Sequence, residues 1–354
     1  MTRPAPQATL RERRIRAMGG RPGHHAGNAG LIATVAIAFA GVMVGAISAY
    51  LGERGVSASA MNAVQTSPNP QPADEARARR DRIVEQIISG WAPERLTPPD
   101  GPLAAFSPPL INRPKIVIIL DDMGVDRRNS DRAIGLPGPL TFSFLPYANG
   151  VSDQAAAARA AGGEVMLHLP MEPAGNADPG PHALKAGMTG GEFLRALEWN
   201  LERFDGYVAV NNHMGSRLTA DIAAMKTLIA YLNDKGVFFV DSITTPQTAV
   251  RQAAREIGVD IFSRDVFLDD KAGSEAEVRT QLALAERIAQ ETGYVVAIGH
   301  PRKETLDVLG PWLTTAPARG FDLVFASALK SIQSDAVSDA APPLSLAAAP
   351  GLRQ

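Results

Sequence analysis

Lys115-Ile116-Val117-Ile118-Ile119-Leu120 is followed without a break by Asp121-Asp122-Met123-Gly124. A short run dominated by Ile and Val reads as a strand buried on both faces, as strands of parallel sheets are. Two carboxylates at its exit are costly unless something compensates them. The arrangement recurs along the chain. Glu164-Val165-Met166-Leu167 leads into His168-Leu169-Pro170-Met171-Glu172-Pro173, and Tyr294-Val295-Val296-Ala297-Ile298 leads into Gly299-His300-Pro301. Charged or metal-binding groups placed where core strands stop mark a shared site at one end of a parallel barrel or sheet.

Strand-like runs at 115–120, 140–145, 164–169, 207–210, 237–241, 260–263, 294–298 and 322–325 alternate with helical patterns. Thr189 with Glu192 makes a capping box ahead of Phe193, Leu194, Leu197, Trp199 and Leu201, and Ser274 with Glu277 makes another ahead of Val278, Leu282, Ala285 and Ile288. Pro246 suits the first turn of a helix running to Ile257. The alternation predicts an α/β fold, an irregularly closed (β/α) barrel over residues 114–332.

The chain has 354 residues, a formal net charge of −2 and no basic, aromatic-interleaved stripe, so nothing in it signals a nucleic-acid partner. It has no cysteine, and any metal must be held by His, Asp or Glu. Leu31 to Leu51 is uncharged and mostly apolar, long enough to cross a hydrocarbon layer of about 30 Å. Arg3, Arg11, Arg13, Arg14, Arg16 and Arg21 precede it against only Glu12. The positive-inside rule then predicts a cytoplasmic basic N-terminus over 1–30, a single transmembrane helix over 31–51 in the bacterial inner membrane, and the main domain in the periplasm. The alternative is secretion to the periplasm with cleavage near Ala58-Ser59-Ala60. Residues 52–113, rich in Pro, Ala, Ser and Gln, read as a spacer with a short charged helix from Ala73 to Trp91, and 333–354 as a disordered tail.

Each candidate residue admits two readings. Asp121 and Asp122 are a metal ligand and a general base, or Asp122 caps the next turn while Asp121 pairs with an arginine such as Arg264. His168, between Leu167 and Leu169, is a ligand or a core histidine. His213, behind Asn211-Asn212 in a glycine-containing loop, is a ligand or a surface group. His300, ahead of Pro301, is a general acid or a structural hydrogen-bonding group. Asp241, Arg264 and Asp265 stand at strand ends as substrate-facing groups or as a buried ion-pair network. Asp269-Asp270-Lys271 reads as a solvated turn. Ala174 to Met188 reads as a wall or lid from which His182 touches substrate, or as a mobile surface loop.

Ile119-Leu120-Asp121-Asp122-Met123-Gly124 resembles the first motif of the polysaccharide deacetylases. His168-Leu169-Pro170-Met171-Glu172-Pro173, Asn211-Asn212-His213-Met214-Gly215-Ser216, Phe239-Val240-Asp241-Ser242 and Ile298-Gly299-His300-Pro301 resemble, in order, the divergent polysaccharide deacetylase (YibQ-like) family. The resemblance covers most of 114–332 and implies a barrel of the polysaccharide deacetylase type. It implies a divalent metal, Zn2+ before others, held by Asp122, His168 and His213, an open set of one carboxylate and two imidazoles. Asp121 then takes the proton of the attacking water, His300 protonates the leaving group, and Asp241, Arg264 and Asp265 orient them. The implied substrate is an acetylated envelope glycan such as peptidoglycan. The chain departs from the wider superfamily in having no His-x-x-x-His run, so His168 and His213 must replace that local pair from separate strands. A glycan- or partner-binding barrel without turnover is the alternative function, and hydrolysis of a glycosidic bond by Asp121 with Asp241 is a third.

A reporter fused after Gln354 is expected to be active only outside the cytoplasm. Cytoplasmic activity overturns the orientation, and the mass of the mature N-terminus separates an anchor from a cleaved signal.

Overall fold

A computed structural model describes residues 72–90, 113–270 and 273–332. The expected membrane anchor at 31–51 and the tail at 333–354 lie outside the described residues. Among the described residues no helix is long and apolar enough to cross a membrane.

The chain runs α1 (Pro72–Ser89), β1 (Lys115–Met123), α2 (Arg127–Ile134), β2 (Thr141–Phe144), α3 (Val151–Ala160), β3 (Glu164–Met171), α4 (Gly190–Leu201), β4 (Ala209–Met214) and α5 (Ile222–Asp234). It continues through β5 (Phe238–Asp241), α6 (Val250–Ile257), β6 (Phe262–Ser263), β7 (Val266–Phe267), α7 (Glu275–Thr292), β8 (Tyr294–Gly299), α8 (Lys303–Thr315) and β9 (Asp322–Val324). The strands pair in parallel in the order β6-β5-β4-β3-β2-β1-β8-β7, with β9 beside the start of β1.

Eight strands laid flat at about 4.8 Å would part the outer two by roughly 34 Å. Only Arg264 and Asp265 separate Ser263 of β6 from Val266 of β7, a link that reaches at most about 11 Å. The sheet therefore curls until its edges face each other. No ladder joins β6 to β7 among the described residues. The architecture is a curled parallel α/β barrel left open along one seam, where the sequence had suggested irregular closure. Both edge strands are two residues long, and Val266–Phe267 is too short to announce itself in the sequence.

Side chains and α1 cover the seam. Arg264 N donates to Asp241 O at 2.9 Å and Asp265 N to Val296 O at 2.8 Å, while the Asp265 carboxylate accepts from Val296 N at 2.9 Å. Arg80 of α1 grips that carboxylate with two bonds of 3.1 and 2.6 Å, donates to Tyr294 O at 2.9 Å and lies over the Tyr294 ring. Arg77 bonds the Ile261 carbonyl, and Asp81 pairs with Arg251 of α6. Val84 and Ile87 join the outer core. The charged helix expected within the spacer is thus α1, and it packs on the barrel.

Strand alternation divides the core. Ile116, Ile118 and Leu120 face the helices with Val165, Leu167 and Val210, whereas Val117 and Ile119 face the interior with Met166, Ala209, Val240, Val296 and Ile298. Ala326 and Leu329 plug the lower end of the interior, where Thr141 Oγ1 accepts from Ala326 N at 3.1 Å. Continuing upward in the same inward phase come Asp121, His168, Asn211, Ser242 and His300. An apolar floor thus carries a polar layer at the C-terminal ends of the strands.

Local structure follows the sequence signals with three exceptions. Both bonds of the Thr189–Glu192 capping box form, whereas of the box expected at Ser274–Glu277 only the bond in which Ser274 Oγ accepts from Glu277 N, at 3.2 Å, is made. Pro246 does not begin α6. Thr245 Oγ1 accepts from Gln247 N and Thr248 Oγ1 from Val250 N, so side chains hold a turn there and the helix starts at Val250. Asn211 to His213 are not loop residues: β4 runs through them because Asn211 and His213 ladder with His168 and Pro170.

The Arg80–Asp265 pair is buried, with side-chain exposures of 12% and 6%, whereas Arg279–Glu275 is exposed at 62% and 48%. Arg80→Ala leaves an ionised Asp265 short of its partner and is expected to cost roughly 3 kcal/mol of stability. Arg279→Ala is expected to cost less than about 0.5 kcal/mol. Urea unfolding of the two variants checks the contrast, and equal effects refute the role given to the seam pair.

Candidate active site

A regular strand sends successive side chains to opposite faces, so Asp121 and Asp122 should not meet in one site. The backbone resolves this. Leu120 pairs with Phe142 and Met123 with Phe144, so β1 spends one extra residue between them, a bulge. Asp122 takes φ +56°, the left-handed region, which turns its carboxylate inward beside that of Asp121. Gly124 follows with φ +101°, and a Cβ there would stand 2.7 Å from the Ala148 Cβ, so the exit of β1 requires glycine. Met214 at φ +54° and Ile243 at φ +49° carry similar strain at the ends of β4 and β5.

His168 from β3 and His213 from β4 converge on Asp122. Asp122 Oδ1 lies 3.3 Å from His168 Nε2 and 2.9 Å from His213 Nδ1. The imidazoles meet edge to face with centroids 5.0 Å apart. Yet Asp122 Oδ1 is buried and makes no hydrogen bond. The three ligand atoms lie within 4.8 Å of one another, and the two measured separations are close to the ~3.4 Å edge of a tetrahedron of zinc ligands. An orphaned carboxylate oxygen between two imidazole nitrogens is what a divalent cation would satisfy, so the donor set fits one. Burial raises the Asp122 pKa, and the neighbouring imidazoles outweigh this and hold it below the ordinary carboxylate range.

Asp121 is buried, with Oδ2 3.7 Å from His168 Nε2. Desolvation drives its pKa above the ordinary value, and the charges of His168 and His300 only partly counter that. It does not pair with Arg264, and the helix after β1 is capped by Asp126, not by Asp122. His300 approaches Asp122 from the other side of β1, its Nε2 3.7 Å from Asp122 Oδ2. Its Nδ1 lies 2.9 Å from Asp269 Oδ1, and its backbone N donates to Asp269 Oδ2 at 2.8 Å. Burial lowers the His300 pKa, but the bond and charge of Asp269 reverse this and raise it. Asp269 itself stays below the usual range, because those contacts with His300 outweigh its burial.

Asp269 is the residue the sequence reading misplaced. The stretch expected to be a solvated turn holds a fully buried carboxylate that also accepts from Thr305 Oγ1 at 2.6 Å. The missing signal was β7. Once Val266–Phe267 is a strand, Asp269 falls in the inward phase of Phe267, at a strand exit like the other site residues.

The remaining candidates sit further out. Asp241 is buried, its oxygens accept from Ile243 N at 2.9 Å and Thr248 Oγ1 at 2.8 Å, and it follows Phe239 in the outward phase of β5, on the opposite face from Asp121. Arg264 donates to the carbonyls of Ser242 and Ile243 at 2.7 and 2.8 Å and braces the same turn. Asp265 faces Arg80 at the seam, not Arg264 or the Asp122 cluster. His182 is exposed and stacks on Trp199 at 3.8 Å, and no contact recorded among the described residues ties it to the Asp122 cluster. Its loop is ordered: Leu184 is buried and exchanges backbone bonds of 2.9 Å with Pro170 and Glu172.

Fold and site together define a barrel of the deacetylase type, with carboxylates and imidazoles gathered at the C-terminal ends of its strands. The model of the family described as divergent polysaccharide deacetylase matches residues 118–330, and the chain belongs to that family. It is 30% identical over 241 residues to YibQ, an uncharacterised protein of Escherichia coli K12, spanning 68% of this chain and 74% of that protein. An uncharacterised protein of Haemophilus influenzae is 30% identical over 203 residues, spanning 57% and 72%. A crystal structure of an uncharacterised Agrobacterium tumefaciens protein aligns at TM-score 0.60 and 26% identity, over 70% of this chain and 94% of that one.

The chain is expected to retain about one divalent ion through dialysis, as its two imidazoles and carboxylate suit zinc. His168→Ala or His213→Ala should remove the ion while the zinc-free proteins stay folded. Elemental analysis decides it, and full metal in both variants refutes the ligand set.

Proposed function

We propose that this chain is a metal-dependent hydrolase that removes acetyl groups from a carbohydrate of the cell envelope. The observation that carries the proposal is the unpaired Asp122 Oδ1 between His168 and His213, with Asp121 and His300 beside it. Membership in the divergent polysaccharide deacetylase family supports both the reaction class and a glycan substrate. Asp122, His168 and His213 would hold the metal, Zn2+ by donor type, which supplies Lewis-acid polarisation of the acyl carbonyl. Asp121 takes a proton from the attacking water, and its raised pKa makes it a stronger base than an exposed aspartate. His300 keeps its Nδ1 on Asp269, so its Nε2 is the atom that faces the site. A proton held there passes to the departing amine or alcohol as the C–N or C–O bond breaks, and acetate leaves. Asp241 and Arg264 fix the turn after β5 that borders these groups. The arginines before residues 31–51 support a periplasmic location for the barrel, where such a glycan is found.

The pH dependence of kcat/KM should be bell-shaped. The base works only when Asp121 has lost its proton, so activity rises with pH through a value above the ordinary aspartate pKa of 3.8. The acid works only while His300 is protonated, so activity falls through a value above 6.5. Asp269→Asn removes the charge that lifts His300 and should move the alkaline limb down. Asp121→Asn should lower turnover by roughly 10²- to 10⁴-fold with metal content unchanged. Acetate release from peptidoglycan and chitin fragments is the measurement. No release by the zinc-, cobalt-, nickel- or manganese-loaded protein at any pH would replace this reading with glycan binding alone.

A further inference from the structure

His168 and His213 stand on different strands, so no local backbone geometry fixes one ligand against the other. Asn211 lies between them. It is the ladder partner of His168 and precedes His213 by two residues on the same inward face. The side chain is fully buried. Its Nδ2 donates to Asp121 Oδ1 at 2.7 Å and to Ser242 Oγ at 3.2 Å. Its Oδ1 accepts from Ser143 Oγ at 2.6 Å and faces His168 Nδ1 at 2.8 Å. Both donors and both acceptor positions of the amide are therefore in use.

These contacts fix which way the amide points. The Asp121 carboxylate needs a donor, so Nδ2 faces Asp121 and the carbonyl oxygen faces His168. That oxygen can only accept, so Nδ1 of the neutral imidazole carries the proton. The lone pair then lies on Nε2, the atom 3.3 Å from Asp122 Oδ1. Asp121, for its part, is tied through Oδ1, while Asp122 Oδ1 makes no hydrogen bond and faces only the two imidazole nitrogens.

We propose that Asn211 is a positioning residue that sorts the adjacent aspartates into different tasks: it presents His168 Nε2 to a metal and holds Asp121 back from joining the ligands. The proposal rests on the metal reading of the site and takes the place of a local histidine pair. A ligand orienter of this kind changes metal affinity without touching the ion. Asn212 does a related job on the outer face, accepting from Ser242 N at 2.9 Å and donating to Met214 O at 2.8 Å, which fixes the backbone on either side of His213.

The test is zinc affinity of the full chain, measured by competition with a chromophoric chelator, and it does not require acetate release. Asn211→Leu removes the acceptor for His168 and should weaken zinc by about 10- to 100-fold. Asn211→Asp keeps the shape and the acceptor but loses the donor, and should bind zinc within about threefold of wild type, or more tightly. A folded Leu variant with wild-type affinity overturns the proposal. So does an Asp variant as weak as the Leu variant, because packing alone would then explain the loss. If circular dichroism shows the Leu variant unfolded, Ser143→Ala decides. It removes one of the two bonds made to the Asn211 carbonyl oxygen, so that oxygen is held less firmly on His168, and should weaken zinc several-fold; unchanged affinity sinks the idea. Wild-type protein that binds no zinc refutes the metal reading itself, an outcome distinct from wild-type binding with indifferent variants.

Discussion

One carboxylate oxygen sets the terms for the upper end of this barrel. Asp122 Oδ1 is buried, charged by its surroundings and without a hydrogen bond. A buried acceptor left unmade costs about 1–3 kcal/mol, and more when it is ionised. The backbone beneath it is strained as well, at φ +56° with a glycine at φ +101° two residues on. A chain that needed only a stable barrel could continue β1 with an apolar residue and remove both penalties. Here the neighbourhood is arranged to keep the oxygen where it is. Two imidazoles lie at 2.9 and 3.3 Å, and a third lies within 3.7 Å of Oδ2. A cation held there, as proposed, would offset this cost and link β1, β3 and β4.

The open seam explains how the rest of the polar layer is held. A fully laddered barrel would pair β6 with β7. This one leaves the edges apart, and the side chains between them do other work. Arg264 braces the carbonyls of Ser242 and Ile243, which supports a β-branched residue at φ +49°. Asp265 supplies the acceptor that Val296 N lacks on that side and takes Arg80 as counter-ion. With Arg80 and Asp265 both largely buried, α1 carries an essential charge for the seam, and the barrel therefore includes a segment that lies some 25 residues before its first strand.

Much of this was legible in the sequence, and the limits were physical. Apolar runs ending in Asp121, His168 and His300 gave the strands and the end of the barrel where the groups gather, because a fully buried strand leaves a continuous hydrophobic signature. What alternation could not supply was the bulge. In regular phase Asp122 points outward, and only a residue count against β2 shows that it does not. His213 appeared to be a loop residue because Asn211 and Asn212 are poor strand formers. Their amides are placed by tertiary bonds to Asp121 and Ser242, which no local rule anticipates. Asp269 is hidden by a two-residue strand, and Asp265 stands at a strand end as the site residues do, so only the packing of α1 assigns it to the seam.

The seam and the chemistry meet at β7. Its two residues pair with Ala297 and Ile298, so the chain leaving β7 runs level with the exit of β8. That register delivers Asp269 to the backbone N and ring Nδ1 of His300 and to Thr305 in the first turn of α8. An edge strand this short has no ladder on its other side to hold it, so its position depends on Val266 and Leu268 in the outer core and on Asp265 anchored to Arg80. The orientation of His300 is thus set from the edge of the sheet, whereas that of His168 and His213 is set from its middle. The proposed acid and the proposed metal ligands accordingly rest on separate supports that meet at the Asp121–Asp122 pair. A change at the seam should reach His300 through Asp269 while the geometry of His168 and His213, fixed by β3 and β4, stays as it is.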